Sequence, residues 1–185
     1  MLRVIAGSLK GRRLKTVPGD TTRPITDRVK ESLFDILGSD VADSTWWDVF
    51  SGTGAIGIEA ISRGARFATL SDLNRLPIET IQTNVETCGI TSKVQIIKAD
   101  AFQLLTRAHS KAYDFIYIAP PQYLNMWEKA MQLLDLHPEL LRLSGDAIVQ
   151  IHPVEYKELQ LQNFEEYDQR KYGSTLLIFY KPKEG

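Results

Sequence analysis

A glycine-rich loop follows an acidic residue in the segment DVFSGTGAIGIEA, which begins at Asp48. Gly52, Gly54 and Gly57 form a G-x-G-x-x-G pattern, which permits a tight turn and a close approach of a ligand to the start of a helix. A carboxylate at Asp48 would receive the ammonium group of a ligand and would repel a pyrophosphate. The pattern therefore favours S-adenosylmethionine, which is cationic and carries no phosphate, over a dinucleotide. In the alternative interpretation, Asp48 only accepts hydrogen bonds from loop amides.

Acidic residues also end the next two predicted strands, FATLSD and VQIIKAD. Asp72 comes 20 residues after Gly52, a spacing that suits a carboxylate accepting both hydroxyls of an adenosine ribose. Asp100 is expected to accept a hydrogen bond from the adenine amino group, and the Ala101 amide to donate one to a ring nitrogen. Phe102 is expected to lie against the adenine face, although core packing is the alternative for a Phe. Because the carboxyl ends of parallel strands meet at one edge of a sheet, we predict that these residues share one site.

The segment YDFIYIAPPQY ends the fourth predicted strand with Pro120 and Pro121. Prolines remove competing N–H donors, so the backbone carbonyls of Ala119 and Pro120 are candidate acceptors for the protons of an amine. Gln122 offers a further carbonyl, and the ring of Tyr123 could stack on a base. The segment therefore predicts either a catalytic site for an amine substrate or a purely structural strand end.

The sequence divides into a basic beginning and an acidic remainder. The formal net charge is −1, but residues 1–30 contain eight Lys or Arg and two Asp, so they carry +6 and the rest carries −7. This asymmetry predicts a basic segment that binds phosphates, and phosphate contacts dominate affinity for nucleic acids. The predicted nucleic-acid-binding residues are Arg12, Arg13, Arg23, Arg28 and Lys30. A solvated basic tail is the alternative interpretation.

Composition argues against several classes of protein. The chain has no apolar run of about 18 residues, the length that a membrane-spanning helix needs. Its beginning, MLRVIAGSLKGRR, lacks the apolar region of a secretory signal. Cys88 is the only cysteine, which fits a reducing compartment, so we expect a cytoplasmic protein. His109, His137 and His152 are scattered without the spacing of metal ligands, so we expect no metal.

Strand and helix patterns alternate from Thr45 onward. This alternation predicts βαβ units and a mostly parallel sheet with helices on both faces, which is an α/β fold. The last two apolar segments, NFEEYDQRKY and STLLIFYK, flank Gly173 with no room for a helix, so they predict a terminal antiparallel hairpin. With five preceding strands, the predicted sheet has seven strands.

The first 38 residues precede this alternation. The runs LRVIAG and RRLKTV predict a β-hairpin. Thr26 is predicted to cap a helix that ends at Gly38. We therefore expect residues 1–38 to form a basic hairpin and helix that contact nucleic acid as an extension of the same domain, and residues 39–185 to form the cofactor-binding domain.

Four segments together resemble the RsmD family of ribosomal RNA guanine-N2 methyltransferases, within the Rossmann-like class that depends on S-adenosylmethionine. They are IAGSLKGRRLK, TRPITDRVKESLFDIL, DVFSGTGAIGIEAISRGA and IAPPQY, and the resemblance covers nearly the whole chain. It implies methylation of the exocyclic N2 of a guanine in 16S-type RNA, on an assembled or partly assembled small subunit. We also expect a monomer that needs no metal and binds no membrane. The cofactor-binding residues that the resemblance implies are Asp48, Gly52, Gly54, Asp72, Asp100 and Ala101.

One segment departs from the family pattern. The family has an acid or amide side chain before the two prolines and an aromatic ring directly after them, where this chain has Ala119 and Gln122. Pro120 and Pro121 keep the base-holding motif, and Tyr123 follows one residue later. We expect an active methyltransferase with substituted acceptors. The alternative is a factor for RNA assembly that binds S-adenosylmethionine but has lost catalysis, while Asp48 disfavours a dinucleotide-dependent oxidoreductase.

Overall fold

The computed structural model describes residues 1–19, 24–107 and 112–185, and these ranges contain one sheet of seven strands. The strands are β1 Thr45–Asp48, β2 Phe67–Asp72, β3 Val94–Lys98, β4 Tyr113–Ile118, β5 Leu141–Ile151, β6 Phe164–Tyr172 and β7 Thr175–Pro182. Their order is β3-β2-β1-β4-β5-β7-β6. Strands β1 to β5 pair in parallel, whereas β7 lies antiparallel to both β5 and β6. The predicted α/β sheet with a terminal antiparallel hairpin is confirmed.

Helices cover both faces of the sheet. They are α1 Asp27–Leu37, α2 Ala55–Ser62, α3 Arg75–Cys88, α4 Ala101–Thr106 and α5 Met126–Leu136. One hydrophobic cluster contains the apolar faces of α1, α2 and α3, and a second contains those of α4 and α5. Trp46 and Trp47 alternate between these clusters and Trp127 lies in the second, so all three tryptophans pack in the core.

Local sequence signals define α1. Thr26 is its N-cap, and the side-chain oxygen accepts a hydrogen bond from the Val29 amide at 3.3 Å. Gly38 ends the helix with a φ of +55°, which a glycine adopts readily. Phe34 packs against Trp46 of β1 with ring centroids 5.3 Å apart. The predicted bounds of this helix are therefore confirmed.

The N-terminal arm, residues 2–17, folds back on itself and docks on α2. The Leu14 amide donates a hydrogen bond to the Leu2 carbonyl, and an antiparallel bridge joins Arg3 to Arg13, but the described part of the arm has no longer pairing of strands. The amides of Ile5 and Ala6 bond to α2 instead, because the Glu59 carboxylate accepts hydrogen bonds from them at 2.9 Å and 3.0 Å. The arm is thus a hairpin-like loop whose backbone groups bond partly to one another and partly to helix side chains.

A close approach at Gly7 fixes the path of this arm. Gly7 has a φ of +84°, and a side chain there would lie 1.9 Å from the backbone oxygen of Ser62. The Ser62 hydroxyl also accepts a hydrogen bond from the Leu9 amide at 2.9 Å and donates one to the Ala6 carbonyl at 2.6 Å. Only glycine fits this contact, so the arm meets α2 in one register.

The apolar run DAIVQIHP predicts the fifth strand, but β5 begins earlier, at Leu141. Its pairing with β4 shifts between Tyr113 and Phe115, so that Leu141 pairs with Tyr113 and Asp146 pairs with Phe115. Gly145 lies in the extra stretch, where a side chain would come within 2.5 Å of the Asp114 backbone oxygen. The polar run RLSGD hid this bulged extension from the apolar pattern.

The segment AFQLLTRAH predicts a short helix, which is confirmed as α4 over residues 101–106. The last residues of that segment, Ala108 and His109, lie outside the described ranges. In the part of the chain that the structure describes, no helix is long and apolar enough to cross a membrane.

Candidate active site

Three acidic residues meet at the carboxyl edge of neighbouring parallel strands. Asp48 ends β1, Asp72 ends β2, and Asp100 follows β3. The register places Asp48 beside Leu70 of β2 and Asp72 beside Lys98 of β3. The predicted grouping of these strand ends is therefore present in the fold, at the edge where open α/β sheets bind ligands.

Asp48 is a buried carboxyl group with spare bonding capacity. It is 2% exposed, and among the described residues its Oδ1 has no hydrogen-bond partner. Burial, followed by the nearby Asp72 carboxylate, raises the pKa of Asp48 to about 8, and the Phe50 backbone amide opposes this shift. A cationic ligand group would both occupy the free oxygen and stabilise its charge, so the site fits an ammonium group.

The glycine loop bends around Asp72. Gly52 and Gly54 have φ values of +55° and +80°. The Gly52 amide donates to Oδ2 of Asp72 at 3.1 Å, and the Asn74 amide donates to Oδ1 at 3.0 Å. Each carboxylate oxygen keeps a second lone pair, so Asp72 can hold the loop and still accept ribose hydroxyls.

Asn84 connects this loop to the N-terminal arm. Its amide nitrogen donates to the Thr53 carbonyl at 3.0 Å and to the Lys15 carbonyl at 3.1 Å. Its oxygen accepts a hydrogen bond from the Lys15 amide at 2.8 Å. A buried α3 side chain therefore ties the arm to the residue between Gly52 and Gly54.

The residues after β3 have defined local roles. Oδ1 of Asp100 caps α4 by accepting hydrogen bonds from the Phe102 amide at 2.8 Å and the Gln103 amide at 3.1 Å. The Phe102 ring is partly buried and lies edge-on to Phe50 with centroids 6.2 Å apart. The Lys129 ammonium lies 4.2 Å from the Phe102 ring centroid. Contacts of Asp100, Ala101 and Phe102 with adenine stay a prediction.

The proline segment leaves the sheet beside β1. Tyr117 of β4 pairs with Asp48, and Ala119 lies two residues beyond it. Pro120 is buried, whereas Pro121, Gln122 and Tyr123 are exposed. The candidate acceptors and the tyrosine ring therefore begin next to the buried carboxyl group.

Glu155, which no sequence pattern indicated, holds the proline segment at Tyr123. The Tyr123 amide donates to Oε1 of Glu155 at 2.8 Å, across 32 positions of the chain. His152 caps the short turn Pro153–Glu155, and its ring centroid lies 5.8 Å from that of Tyr123. The one sequence signal for Glu155 was its position just beyond the fifth strand.

The predicted basic residues separate into different environments. Arg12, Arg13 and Arg28 are exposed, and Arg23 lies outside the described residues. Lys30 is the exception, because its side chain is fully buried, 3.4 Å from a carboxylate oxygen of Glu59, and donates to the Arg3 carbonyl. Burial lowers the pKa of Lys30, and the neighbouring Glu59 opposes that shift. The prediction for Lys30 is therefore corrected: in this fold its ammonium group cannot reach a phosphate.

The site has no cluster of metal ligands in the described ranges. No group of three or more His, Cys, Asp or Glu side chains there could hold a metal ion.

Comparison with solved structures shows which class of protein has this fold. A protein of Escherichia coli, yhhF, provisionally described as a methyltransferase, superposes with a TM-score of 0.87 and 26% identity over 98% of each chain. The fold, with its glycine loop and row of strand-end acids, is that of a Rossmann-like methyltransferase.

Sequence comparison then gives the family. A family profile described as "Conserved hypothetical protein 95" matches residues 2–181. A Bacillus subtilis protein provisionally named as an rRNA methyltransferase, YlbH, is 37% identical over 80% of each chain. Ribosomal RNA small subunit methyltransferase D of Buchnera aphidicola is 36% identical over 71% of this chain and 69% of its own length. The chain belongs to this family, as its resemblance to the RsmD proteins indicated.

Proposed function

We propose that this protein transfers a methyl group from S-adenosylmethionine to the exocyclic N2 of a guanine in small-subunit ribosomal RNA. The observation that carries the proposal is the free, buried oxygen of Asp48 at the glycine loop, which suits the ammonium group of the methyl donor. The names of the related proteins support a ribosomal RNA substrate.

The residues around the glycine loop fit the donor. Asp48 receives its ammonium group, Gly52 and Gly54 allow the backbone to approach, and Asp72 accepts the ribose hydroxyls. Asp100, Ala101 and Phe102 contact the adenine. When bound, S-adenosylmethionine supplies the electrophilic methyl group. The chain's contribution is to hold that group at the carboxyl edge of β1, beside the segment that begins at Ala119.

The proline segment orients the substrate amine. The exocyclic amine of guanine is a weak nucleophile because its lone pair is delocalised into the ring, so its geometry must be fixed. The carbonyls of Ala119 and Pro120 accept hydrogen bonds from the amine protons, and Gln122 supplies a further acceptor. The target base is extruded from its stack and packs on Tyr123. No carboxylate is needed: the amine nitrogen forms its bond to the methyl carbon as the sulfur–methyl bond breaks, and the methylated amine then releases its proton to water at this exposed edge.

The exposed basic residues bind the RNA backbone. Arg12, Arg13 and Arg28 contact phosphates, and the natural substrate is an assembled or partly assembled small subunit. The protein acts as a monomer in the cytoplasm.

A second function is favoured by one observation, the alanine at position 119. A chain without the family's acid or amide there could bind the cofactor and RNA as an assembly factor without transferring a methyl group. The two functions differ in one measurable step, the transfer of the methyl group to the RNA.

Single-turnover methyl transfer tests the proposal. Purified protein and labelled S-adenosylmethionine are mixed with small subunits from cells that lack the modification, and nucleosides are analysed by mass spectrometry. We expect one N2-methylguanosine per particle. Gln122→Ala should slow transfer about tenfold while leaving cofactor affinity unchanged, because it removes one acceptor from the amine. Wild-type protein that binds both cofactor and particle but transfers nothing would establish the assembly-factor function instead.

A further inference from the structure

The Glu155 carboxylate joins the two chain segments that follow β4 and β5. Its Oε1 accepts the Tyr123 amide at 2.8 Å, and its Oε2 accepts the His152 amide at 3.2 Å. Strands β4 and β5 are parallel neighbours, so both segments leave the sheet at its carboxyl edge. That edge also carries Asp48 at the end of β1. One side chain therefore fixes the distance between two parts of the rim of the candidate site.

Tyr123 has a backbone conformation that needs external support. Its φ is +64°, in the left-handed region that residues with a Cβ rarely adopt. Such a conformation persists where surrounding contacts impose it. The bond from its amide to Glu155 is charge-assisted and anchors the backbone at this residue. The side chain of Tyr123 is still 63% exposed, so the backbone is held while the ring stays open to a ligand.

The short turn Pro153–Glu155, which contains this carboxylate, also holds His152. Its Nδ1 accepts a hydrogen bond from the Val154 amide at 3.2 Å, so the neutral ring carries its proton on Nε2. The imidazole and the Tyr123 ring have centroids 5.8 Å apart and planes inclined by 40°. Because Glu155 binds the amides of both residues, one carboxylate fixes the relative position of the two backbone segments that carry these rings. Aromatic rings at such a rim are suited to contact an unstacked base.

We propose that Glu155 is a positioning residue that holds Tyr123 and His152 as a paired platform for the target base. This role rests on the proposed function. Glu155 acts through backbone amides at the substrate side of the edge, whereas Asp72 and the glycine loop hold the cofactor. Loss of the Glu155 carboxylate should therefore weaken capture of the base and leave cofactor binding intact.

Glu155→Gln is the sharpest substitution for a test. A glutamine has one oxygen, so its NH2 group would face one of the two backbone N–H donors that the carboxylate now accepts. Glu158→Gln is the matched control, because it makes the same change of charge at an exposed position three residues along the same connection. Both variants are compared with wild type in single-turnover methyl transfer over a range of small-subunit concentrations. Calorimetry with S-adenosylhomocysteine reports the cofactor site and shows that each variant is folded.

We expect Glu155→Gln to raise the half-saturating concentration of small subunits about tenfold, with the limiting rate and the affinity for S-adenosylhomocysteine changed less than about threefold. Glu158→Gln should behave as wild type. Tyr123→Ala removes the main ring of the platform, so Glu155→Gln should have a smaller effect in that background than in wild type.

Two results would overturn this role while leaving the proposed function in place. One is a Glu155→Gln variant that is indistinguishable from Glu158→Gln, and the other is an equal effect of Glu155→Gln with and without Tyr123. Wild-type protein that binds the particle and transfers no methyl group would instead overturn the proposed function, and the role of Glu155 with it.

Discussion

At the scale of single residues, Asp48 shows how a proposed ligand-binding position differs from a structural one. Asp72 and Asp100 have oxygens that already accept backbone amides, so their carboxylates also hold the fold. Asp48 keeps one buried oxygen without a partner in the described structure, and its pKa rises to about 8 through burial and the neighbouring Asp72. A buried charge without compensation is unfavourable, so ligand-free Asp48 is mainly protonated at neutral pH.

Binding of S-adenosylmethionine should therefore release a proton. At pH 7 the free Asp48, with a pKa of about 8, holds a proton that it loses when the ligand's ammonium group stabilises the carboxylate. Calorimetry in buffers with different ionisation enthalpies should give a release of about one proton in wild type. Asp48→Asn should bind more weakly with almost no release, and equal release by both proteins would remove Asp48 from the ammonium site.

At the scale of elements, a buried ionic cluster joins the N-terminal arm, α1 and α2. Glu59 of α2 lies 3.4 Å from the Lys30 ammonium of α1 and 2.9 Å from the Arg63 guanidinium, and it accepts the amides of Ile5 and Ala6. Glu59 and Lys30 are fully buried, so each compensates the other's loss of hydration. The cluster also explains why Lys30 is a structural residue, and it fixes the arm that carries Arg12 and Arg13.

Glu59→Gln should destabilise the protein by about 3 kcal/mol or more, because it leaves a buried ammonium group without its counter-charge and an amide without an acceptor. Urea unfolding measures this loss. The same substitution at Glu79, which pairs with Arg75 on the exposed face of α3, is the control and should leave stability near that of wild type. Similar midpoints for the two variants would show that the cluster contributes little.

At the scale of the whole molecule, the basic arm and the cofactor loop form one continuous unit. The arm carries exposed Arg12 and Arg13, and Asn84 bonds both to Lys15 of the arm and to Thr53 of the glycine loop. The positive charge of the first 30 residues therefore lies on a segment whose path is fixed relative to the candidate active site. Fixed cations near a site orient a polyanionic substrate as well as attracting it.

Arg12→Ala and Arg13→Ala should each weaken RNA binding regardless of sequence. Each lost phosphate contact should lower the slope of log affinity against log salt concentration by roughly 0.7 to 0.9. Arg142→Ala is the control. Arg142 lies near the start of β5, at the edge of the sheet opposite to the carboxyl edge that carries the candidate site. Filter binding of small-subunit RNA at several salt concentrations gives the slopes. If the arm variants and the control share the wild-type slope, the arm is only a solvated surface.

The sequence by itself determined the elements and the row of strand-end acids. Apolar periodicity, the Thr26 cap and Gly38 defined α1, and the alternation of strands and helices required parallel strands, whose carboxyl ends must meet at one edge. Asp48 and Asp72 could therefore be assigned to one edge of the sheet, since their positions follow from local patterns and from the topology that those patterns impose.

Tertiary structure alone decided which polar side chains pair across long separations in the chain. Lys30 belonged to a basic segment in the sequence, but docking of α1 on α2 buries it against Glu59, 29 positions away. Glu155 reaches Tyr123 only because β5 lies beside β4. A local pattern shows the periodicity of burial but not which distant carboxylate satisfies a buried donor, because that depends on how separate elements pack.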